Sequence, residues 1–286
     1  MRARELLDEA EATLLESEAI DHWQKGRERI EAEELLGHVL GSEVDEDAEV
    51  SAAVRRRFAR TLVRRSAGEP VSYITRRAEF HGLDLEIRPG VFIPRAYTEF
   101  LADQAIVRLR RRSAPVHVDL ATGSGAVALA VAARVPKARV VGTDLAADAV
   151  AVAHRNARRL GLANARFVRG GLFSGVPKSL RGSVDTITFH PPFIPMSELA
   201  DLPAEVAKFE PIHTLTDGSD DGLGLVRQAV AESHLWLRPG GWLLIEVSPD
   251  RSRTVATGMR RSGLVEVRST RGEWNNSRVL VGRRPR

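Results

Sequence analysis

The sequence predicts an α/β fold: a doubly wound, mostly parallel sheet preceded by a small helical bundle and a β-hairpin. Three observations carry this expectation. From Val116 onward, short β-branched runs alternate with longer segments of helical spacing. Before about residue 66 only helical spacing is found, and between the two regions apolar and polar residues alternate around Gly82. Strands that alternate with helices form a parallel sheet covered on both faces, whereas a short helix-only stretch closes into a bundle.

In the N-terminal region Leu6, Leu7, Ala10, Leu14 and Leu15 recur at helical spacing, as do Ala32, Leu35, Leu36, Val39 and Leu40. Gly41-Ser42 and the acidic stretch 43–49 mark a loop, after which Val54, Phe58, Leu62 and Val63 give a third amphipathic face. The character changes around Gly68-Glu69-Pro70, and residues 79–87 alternate around a glycine turn, which predicts a hairpin. Pro89-Gly90 turns the chain again, residues 91–95 are extended, and residues 98–111 have helical spacing. Strands are expected over Val116–Leu120, 139–143, 165–168, Val184–Phe189 and 242–247, with helices over Ala126–Arg134, 147–160, 223–237 and 251–261. The last two strand candidates, 264–269 and 278–281, have no helix between them, so an antiparallel edge is expected. The domains read as 1–75 (helical), 76–97 (hairpin linker) and 98–286 (α/β).

Cysteine is absent, which excludes disulfides, thiolate metal sites and cysteine nucleophiles. No His/Asp/Glu cluster has metal-ligand spacing, so no metal is expected. No apolar run approaches membrane-spanning length and the N-terminus carries no secretory apolar core, which makes the cytoplasm the expected compartment. The formal net charge is +4. Clusters such as Arg55-Arg56-Arg57, Arg64-Arg65 and Arg110-Arg111-Arg112 read as solvated helix faces, so direct nucleic-acid binding is not expected.

Two constellations carry chemistry. The first expected strand runs through Asp119 into Ala121-Thr122-Gly123-Ser124-Gly125 and then a helix, a turn in which backbone N–H groups can approach a ligand. Asp144 ends the second strand about 20 residues later, where an acid meets ribose hydroxyls. Gly123, Gly125 and Ala128 also fit the degenerate dinucleotide fingerprint, which keeps a dehydrogenase open. The second constellation is His190-Pro191-Pro192-Phe193 at the end of the fourth strand. Two prolines force the chain out of the sheet on a fixed path, at the end of the strands where ligands bind. Asp119 before the glycines and the Pro-Pro turn suit S-adenosylmethionine better than a nicotinamide cofactor.

Over nearly its whole length the chain resembles the HemK-type protein-(glutamine-N5) methyltransferases, which modify the Gly-Gly-Gln loop of peptide-chain release factors. The resemblance rests on Glu69-Pro70 with Tyr73-Ile74, Phe80-His81-Gly82-Leu83, the segment Pro89 to Arg95 with Thr98-Glu99, and Asp119 to Gly125. It continues through Phe209-Glu210-Pro211, Asp217-Gly218, Asp221-Gly222-Leu223, Leu237-Arg238-Pro239-Gly240-Gly241 and Glu246. It implies a Rossmann-like class I methyltransferase domain behind an N-terminal docking domain, with S-adenosyl-L-methionine as cofactor. Carried onto this chain, it places the cofactor on Asp119, Ala121, Thr122, Gly123, Gly125, Asp144, Leu145, Gly171, Leu172, Arg95 and Thr98. It places the acceptor at His190, Pro191, Pro192 and Phe193. The implied partner is a release factor, or another protein or small-molecule acceptor.

Three positions depart from the family pattern. Asn-Pro-Pro-Tyr is here His190-Pro191-Pro192-Phe193, Arg-Pro-Glu-Thr is Arg95-Ala96-Tyr97-Thr98, and the acid that holds the adenine amine is Gly171. A neutral His190 accepts one hydrogen bond and can act as a base. The alternatives are therefore N- or O-methylation of a small molecule with His190 as base, or a cofactor-binding regulatory protein. Tyr97 reads as packing, His81 and His213 as surface or loop histidines, and Glu246 as structural.

Overall fold

A computed structural model describes residues 1–20, 26–273 and 277–286. In chain order the helices are α1 (Ala3–Leu15), α2 (Glu28–Leu40), α3 (Ala52–Ser66), α4 (Val71–Thr75), α5 (Glu99–Leu109), α6 (Ala126–Arg134), α7 (Ala147–Arg159), α8 (Ala204–Phe209), α9 (Gly224–Trp236) and α10 (Ser252–Arg261). The strands are β1 (Arg77–Phe80), β2 (Leu83–Glu86), β3 (Val116–Leu120), β4 (Arg139–Asp144), β5 (Ala165–Arg169), β6 (Val184–Phe189), β7 (Leu237–Val247), β8 (Val265–Thr270) and β9 (Arg278–Arg283). The chain divides into two compact units, the first comprising Met1–Arg77, Ile87–Pro89 and Ala200–Glu210, the second the remainder.

The first unit is built on α1 to α4. Ser51 caps α3 by accepting from the Val54 amide at 3.3 Å, and Gly41 ends α2 in the left-handed region at φ 78°. Leu7, Ala10 and Leu14 of α1 pack with Ala32, Leu35, Leu36 and Val39 of α2, with Phe58 and with Ile74. Leu15, Leu40 and Val63, read from the sequence as members of these faces, are exposed. Each follows a residue that does face the core, and one step along a helix turns a side chain by about 100°. The expected helical stretch also crosses residues 21–25, which lie outside the described residues. Helix α8, which no periodicity announced, joins this unit through Arg65. That buried guanidinium lies 2.7 Å from Glu31 and 2.8 Å from Glu205.

The second unit holds the hairpin and a seven-stranded sheet. His81 and Gly82 take φ of 54° and 72°, the double left-handed geometry that a two-residue hairpin turn requires. The sheet order is β5-β4-β3-β6-β7-β9-β8. The first five strands run parallel, and β9 runs antiparallel between β7 and β8, as the missing crossover helix requires. The order reverses between β3 and β6, so the switch point lies at the C-terminal ends of these two strands. The expected 242–247 strand begins five residues earlier as β7: the register with β6 shifts between Val184 and Thr186, and the Pro239-Gly240 bulge, with Gly240 at φ 76°, is absorbed there. Val118, Leu120, Ile187 and Phe189 face a core completed by Trp236, Leu243 and Leu280. Among the described residues no helix is long and apolar enough to cross a membrane.

Candidate active site

At the switch point a cavity is walled by the turn after β3, the end of β4, residues 170–172, the loop after β6, and residues 90–98. The β3 turn is the most constrained part. Ala121 and Gly123 take φ of 52° and 56°, and Gly125, at 86°, starts α6. The Thr122 amide donates to the Thr143 carbonyl, and the Gly125 amide to the Thr122 carbonyl, both at 2.9 Å. A Cβ added at Gly123 would have nothing within 4 Å, so its face is open. Gly125 differs: a Cβ there would meet Phe167, Ala153 and Leu129 at 3.0 to 3.1 Å. Its smallness lets α6 and α7 approach the sheet, and it lies outside the cavity wall. Gly142 on β4 does the same work, since a Cβ there would come 2.6 Å from the Phe167 ring and 2.8 Å from Thr122 Oγ1.

Asp144 ends β4 with its carboxylate on the cavity wall. Its Oδ2 accepts from the Gly123 amide and its Oδ1 from the Ala146 amide, each at 2.9 Å. A carboxylate has about four acceptor sites, so capacity remains for a ligand hydroxyl. Burial raises its proton affinity, opposed by those amides, by the Leu145 amide and by His213. Leu145 forms the exposed rim and Leu172, at φ 46°, the floor, where Thr143 Oγ1 donates to its carbonyl at 2.7 Å. Gly171 leaves room, because a Cβ there would meet only Leu145, at 3.9 Å.

Asp119 lines the cavity yet is only 3% exposed, and both of its oxygens are engaged, by Thr122 Oγ1 at 2.6 Å and Thr188 Oγ1 at 2.7 Å. Burial pushes it up to about 6 against those hydroxyls. It therefore holds the turn and offers a ligand little directly. Thr98, also nearly buried, lies between the cavity and Glu246, whose Oε1 accepts from Ser277 Oγ at 2.6 Å.

At the acceptor end His190, Pro191 and Pro192 line the cavity. The half-buried His190 ring stands edge-on to Phe92, with centroids 5.4 Å apart and planes at 75°, and is tilted against Phe193 at 5.9 Å. The Arg95 guanidinium lies over the Phe92 ring, 4.7 Å from its centroid. Burial, with the nearby Arg95 charge, pushes His190 down to about 4, so at neutral pH the ring is uncharged. Arg95 and Phe193, both singled out in the sequence, act on His190 from outside the cavity wall. The Ile194 amide donates to Leu215 at 2.9 Å and Phe193 bridges to Thr216, which ties this loop to residues 211–223.

Val91 and Phe92 were legible as part of the Pro89 to Arg95 segment, whereas Ala149 and His213 were not read as site residues. Phe92, Val91 and Ala149 give apolar walls, and His213, read as a surface or loop histidine, stands on the 3-10 turn Ile212–Thr214 at the mouth. Only its adjacency to the Phe209-Glu210-Pro211 motif could have signalled it. Tyr97 is half-buried and not on the wall. His81 anchors the hairpin, donating its amide to Glu99 at 2.7 Å, with its ring 3.0 Å from Asp103. Among the described residues no group of three or more His, Cys, Asp or Glu is placed to hold a metal ion.

The donor set fits S-adenosylmethionine. Apolar walls at Val91, Leu145 and Ala149 suit a flat base, Asp144 has acceptor capacity for ribose hydroxyls, and the open face of Gly123 admits close backbone approach. When bound, this cofactor supplies an electrophilic methyl group on a sulfonium.

Residues 5–75 match the PrmC N-terminal domain and residues 118–209 match a methyltransferase domain. The release factor glutamine methyltransferase of Xylella fastidiosa (strain 9a5c) is 36% identical over 263 residues, covering 90% of this chain and 94% of that protein. The release factor glutamine methyltransferase of Moorella thermoacetica is 38% identical over 244 residues, covering 83% and 84%. Among solved structures, a methyltransferase from Pyrococcus furiosus shares the fold, with a TM-score of 0.53 at 18% identity over 72% of this chain and 90% of that one. With identities above one third across most of both chains and the cofactor cavity in place, the chain belongs to the HemK family of release factor glutamine methyltransferases and is an S-adenosylmethionine-dependent methyltransferase.

Proposed function

We propose that the acceptor is a glutamine side chain of a peptide-chain release factor, methylated on its amide nitrogen. In this reading the cofactor lies against Ala121, Thr122, Gly123, Asp144, Leu145, Gly171, Leu172 and Thr98, with Asp119 and Gly125 shaping the turn. Residues 1–75 dock the partner, 76–97 link, and 98–286 carry the transfer. Work on release factors implies a cytoplasmic location.

The observation that carries this choice is the setting of His190, edge-on to Phe92 and tilted against Phe193, with Arg95 stacked on Phe92. A base whose conjugate acid ionises near 4 is poorly matched to removing a proton from a hydroxyl or an ammonium at neutral pH. That weighs against base-assisted O-methylation. The same neutral ring can accept one hydrogen bond from a carboxamide N–H. Set between Phe92 and Phe193, it suits a flat amide lying along the Pro191-Pro192 turn. Its role is orientation, holding the amide nitrogen in line for attack.

The test is transfer of labelled methyl from S-adenosylmethionine to purified release factor, to the same factor with the Gly-Gly-Gln glutamine replaced by glutamate, and to small molecules of a lysate. Label that requires the glutamine is expected, with no limb near pH 6.5 in the rate profile. Label only on small molecules would overturn the release-factor assignment in favour of a diverged acceptor. Cofactor binding without transfer anywhere would favour a regulatory protein.

A further inference from the structure

Beneath the cofactor turn, one face of the two central strands is polar. His117 and Asp119 on β3 stand in register with Thr186 and Thr188 on β6, and alternate residues of a strand share a face. His117, Thr186 and Thr188 are each 0% exposed. His117 Nδ1 lies 2.8 Å from Thr186 Oγ1, and His117 Nε2 lies 3.2 Å from Thr188 Oγ1. Thr188 Oγ1 in turn donates to Asp119 Oδ1 at 2.7 Å.

The carboxylate end fixes the donor order. An ionised carboxylate only accepts, so Thr188 and Thr122 each direct their one hydroxyl hydrogen at Asp119. Thr188 Oγ1 can then only accept from His117, which assigns the ring hydrogen to Nε2 and leaves Nδ1 to accept from Thr186. Burial pushes His117 down to about 3, opposed by the Thr186 backbone, so the ring is neutral and carries one N–H. Every donor in the chain Thr186–His117–Thr188–Asp119 thus points toward Asp119. Among the described residues Asp144 on β4 also bears on Asp119, and it opposes ionisation.

The far end of this chain is the strained turn. Asp119 holds Thr122, and Thr122 stands between Ala121 and Gly123, both at positive φ. A non-glycine residue in the left-handed region costs about 1 to 2 kcal/mol and persists only when its surroundings over-determine it.

We propose that His117 is a positioning residue for the cofactor turn: its Nε2–H fixes the hydroxyl rotor of Thr188, which orients Asp119 and through it Thr122. The proposal rests on the cofactor assignment above. His117 touches neither cofactor nor acceptor. Without it the Thr188 hydroxyl is free to turn to another acceptor, and a partly satisfied buried network loses the rigidity of a complete one.

The test combines two readouts. Nitrogen NMR of 15N-histidine-labelled protein without cofactor is expected to show His117 protonated at Nε2 and bare at Nδ1 throughout the neutral range. Calorimetric titration with S-adenosylmethionine is expected to show about tenfold weaker binding for Thr188→Val and for His117→Phe. The double variant should be no weaker than the weaker single, and His117→Gln, which keeps an N–H donor, should recover most of the loss. An Nδ1–H tautomer would overturn the proposal, as would unchanged binding in Thr188→Val or losses that multiply in the double variant. If His117→Phe does not fold, the tautomer and Thr188→Val still decide. A parent chain that bound no S-adenosylmethionine, with the Nε2–H tautomer intact, would instead overturn the cofactor assignment.

Discussion

Gly222 lies against the backbone of Phe193. A Cβ added at Gly222 would come 2.6 Å from the Phe193 carbonyl carbon, and Gly222 itself sits at φ 67°. Two segments nearly thirty residues apart are therefore in backbone contact, and the acceptor loop after β6 keeps its path only while position 222 has no side chain. This gives a physical reason for the Asp221-Gly222-Leu223 motif, whose residues touch no cavity wall themselves.

Gly222→Ala is expected to displace the acceptor loop. Methyl transfer should fall by an order of magnitude or more, since small misplacements of a reacting group have effects of about a hundredfold. Cofactor affinity, which depends on the other end of the cavity, should change by less than about threefold. Steady-state kinetics beside calorimetric titration checks the split.

Gly171→Asp is expected to tighten S-adenosylmethionine binding. The backbone there, at φ −73° and ψ 129°, accepts any residue, and a Cβ would meet only Leu145 at 3.9 Å. A carboxylate in that space can accept from an exocyclic amine, a charge-assisted bond worth about 1.5 to 3 kcal/mol. Calorimetry should show a dissociation constant lower by about tenfold; an unchanged or raised value would place the base elsewhere.

Ala121→Gly relieves the left-handed strain at φ 52°. The gain, about 1 kcal/mol in unfolding free energy, is the net of the removed steric term and the larger freedom of glycine in the unfolded chain. Denaturant melts at constant m-value measure it.

Glu246→Gln is expected to change the pH dependence of stability. Burial pushes the Glu246 carboxyl up to about 7, opposed by the Ser277 and Thr98 hydroxyls, whereas the unfolded chain releases this proton near 4.5. Between these values the folded state binds more protons, so this group's contribution to stability falls as pH rises and is fully lost above about 7. Glutamine has no charge to bury. The variant should match the parent near pH 4 and exceed it by on the order of 1 to 3 kcal/mol at pH 8. A parallel pair of stability curves would exclude a buried ionising Glu246.

The elements that position the site were legible because their signals are local. Strand β6 is a six-residue β-branched and aromatic run, and the double proline ends it wherever it lies in space. Asp144 could be placed at the end of its strand by spacing alone, and it does line the cavity. The exposed Leu15, Leu40 and Val63 show the limit of such patterns: a neighbour of a core residue fits a loose helical periodicity, and only packing shows which of the pair turns inward. Helix α8 was not legible at all, since its six residues bury no side chain completely and join the helical unit through the Arg65 ion pairs.

What the sequence alone determined is the order of elements, the turn chemistry and the family, because glycine and proline preferences and hydrophobic periods act within a few residues. What only the tertiary structure decided is which of those residues work together. Gly125 left the cavity for the α6–α7 packing, His213 entered it, His190 became a neutral ring through burial and the nearby Arg95 charge, and His117 met Thr186 and Thr188 about seventy residues away. Burial, hydrogen bonding and charge at a site depend on distances between segments remote in the chain, and those distances exist only once the sheet has formed.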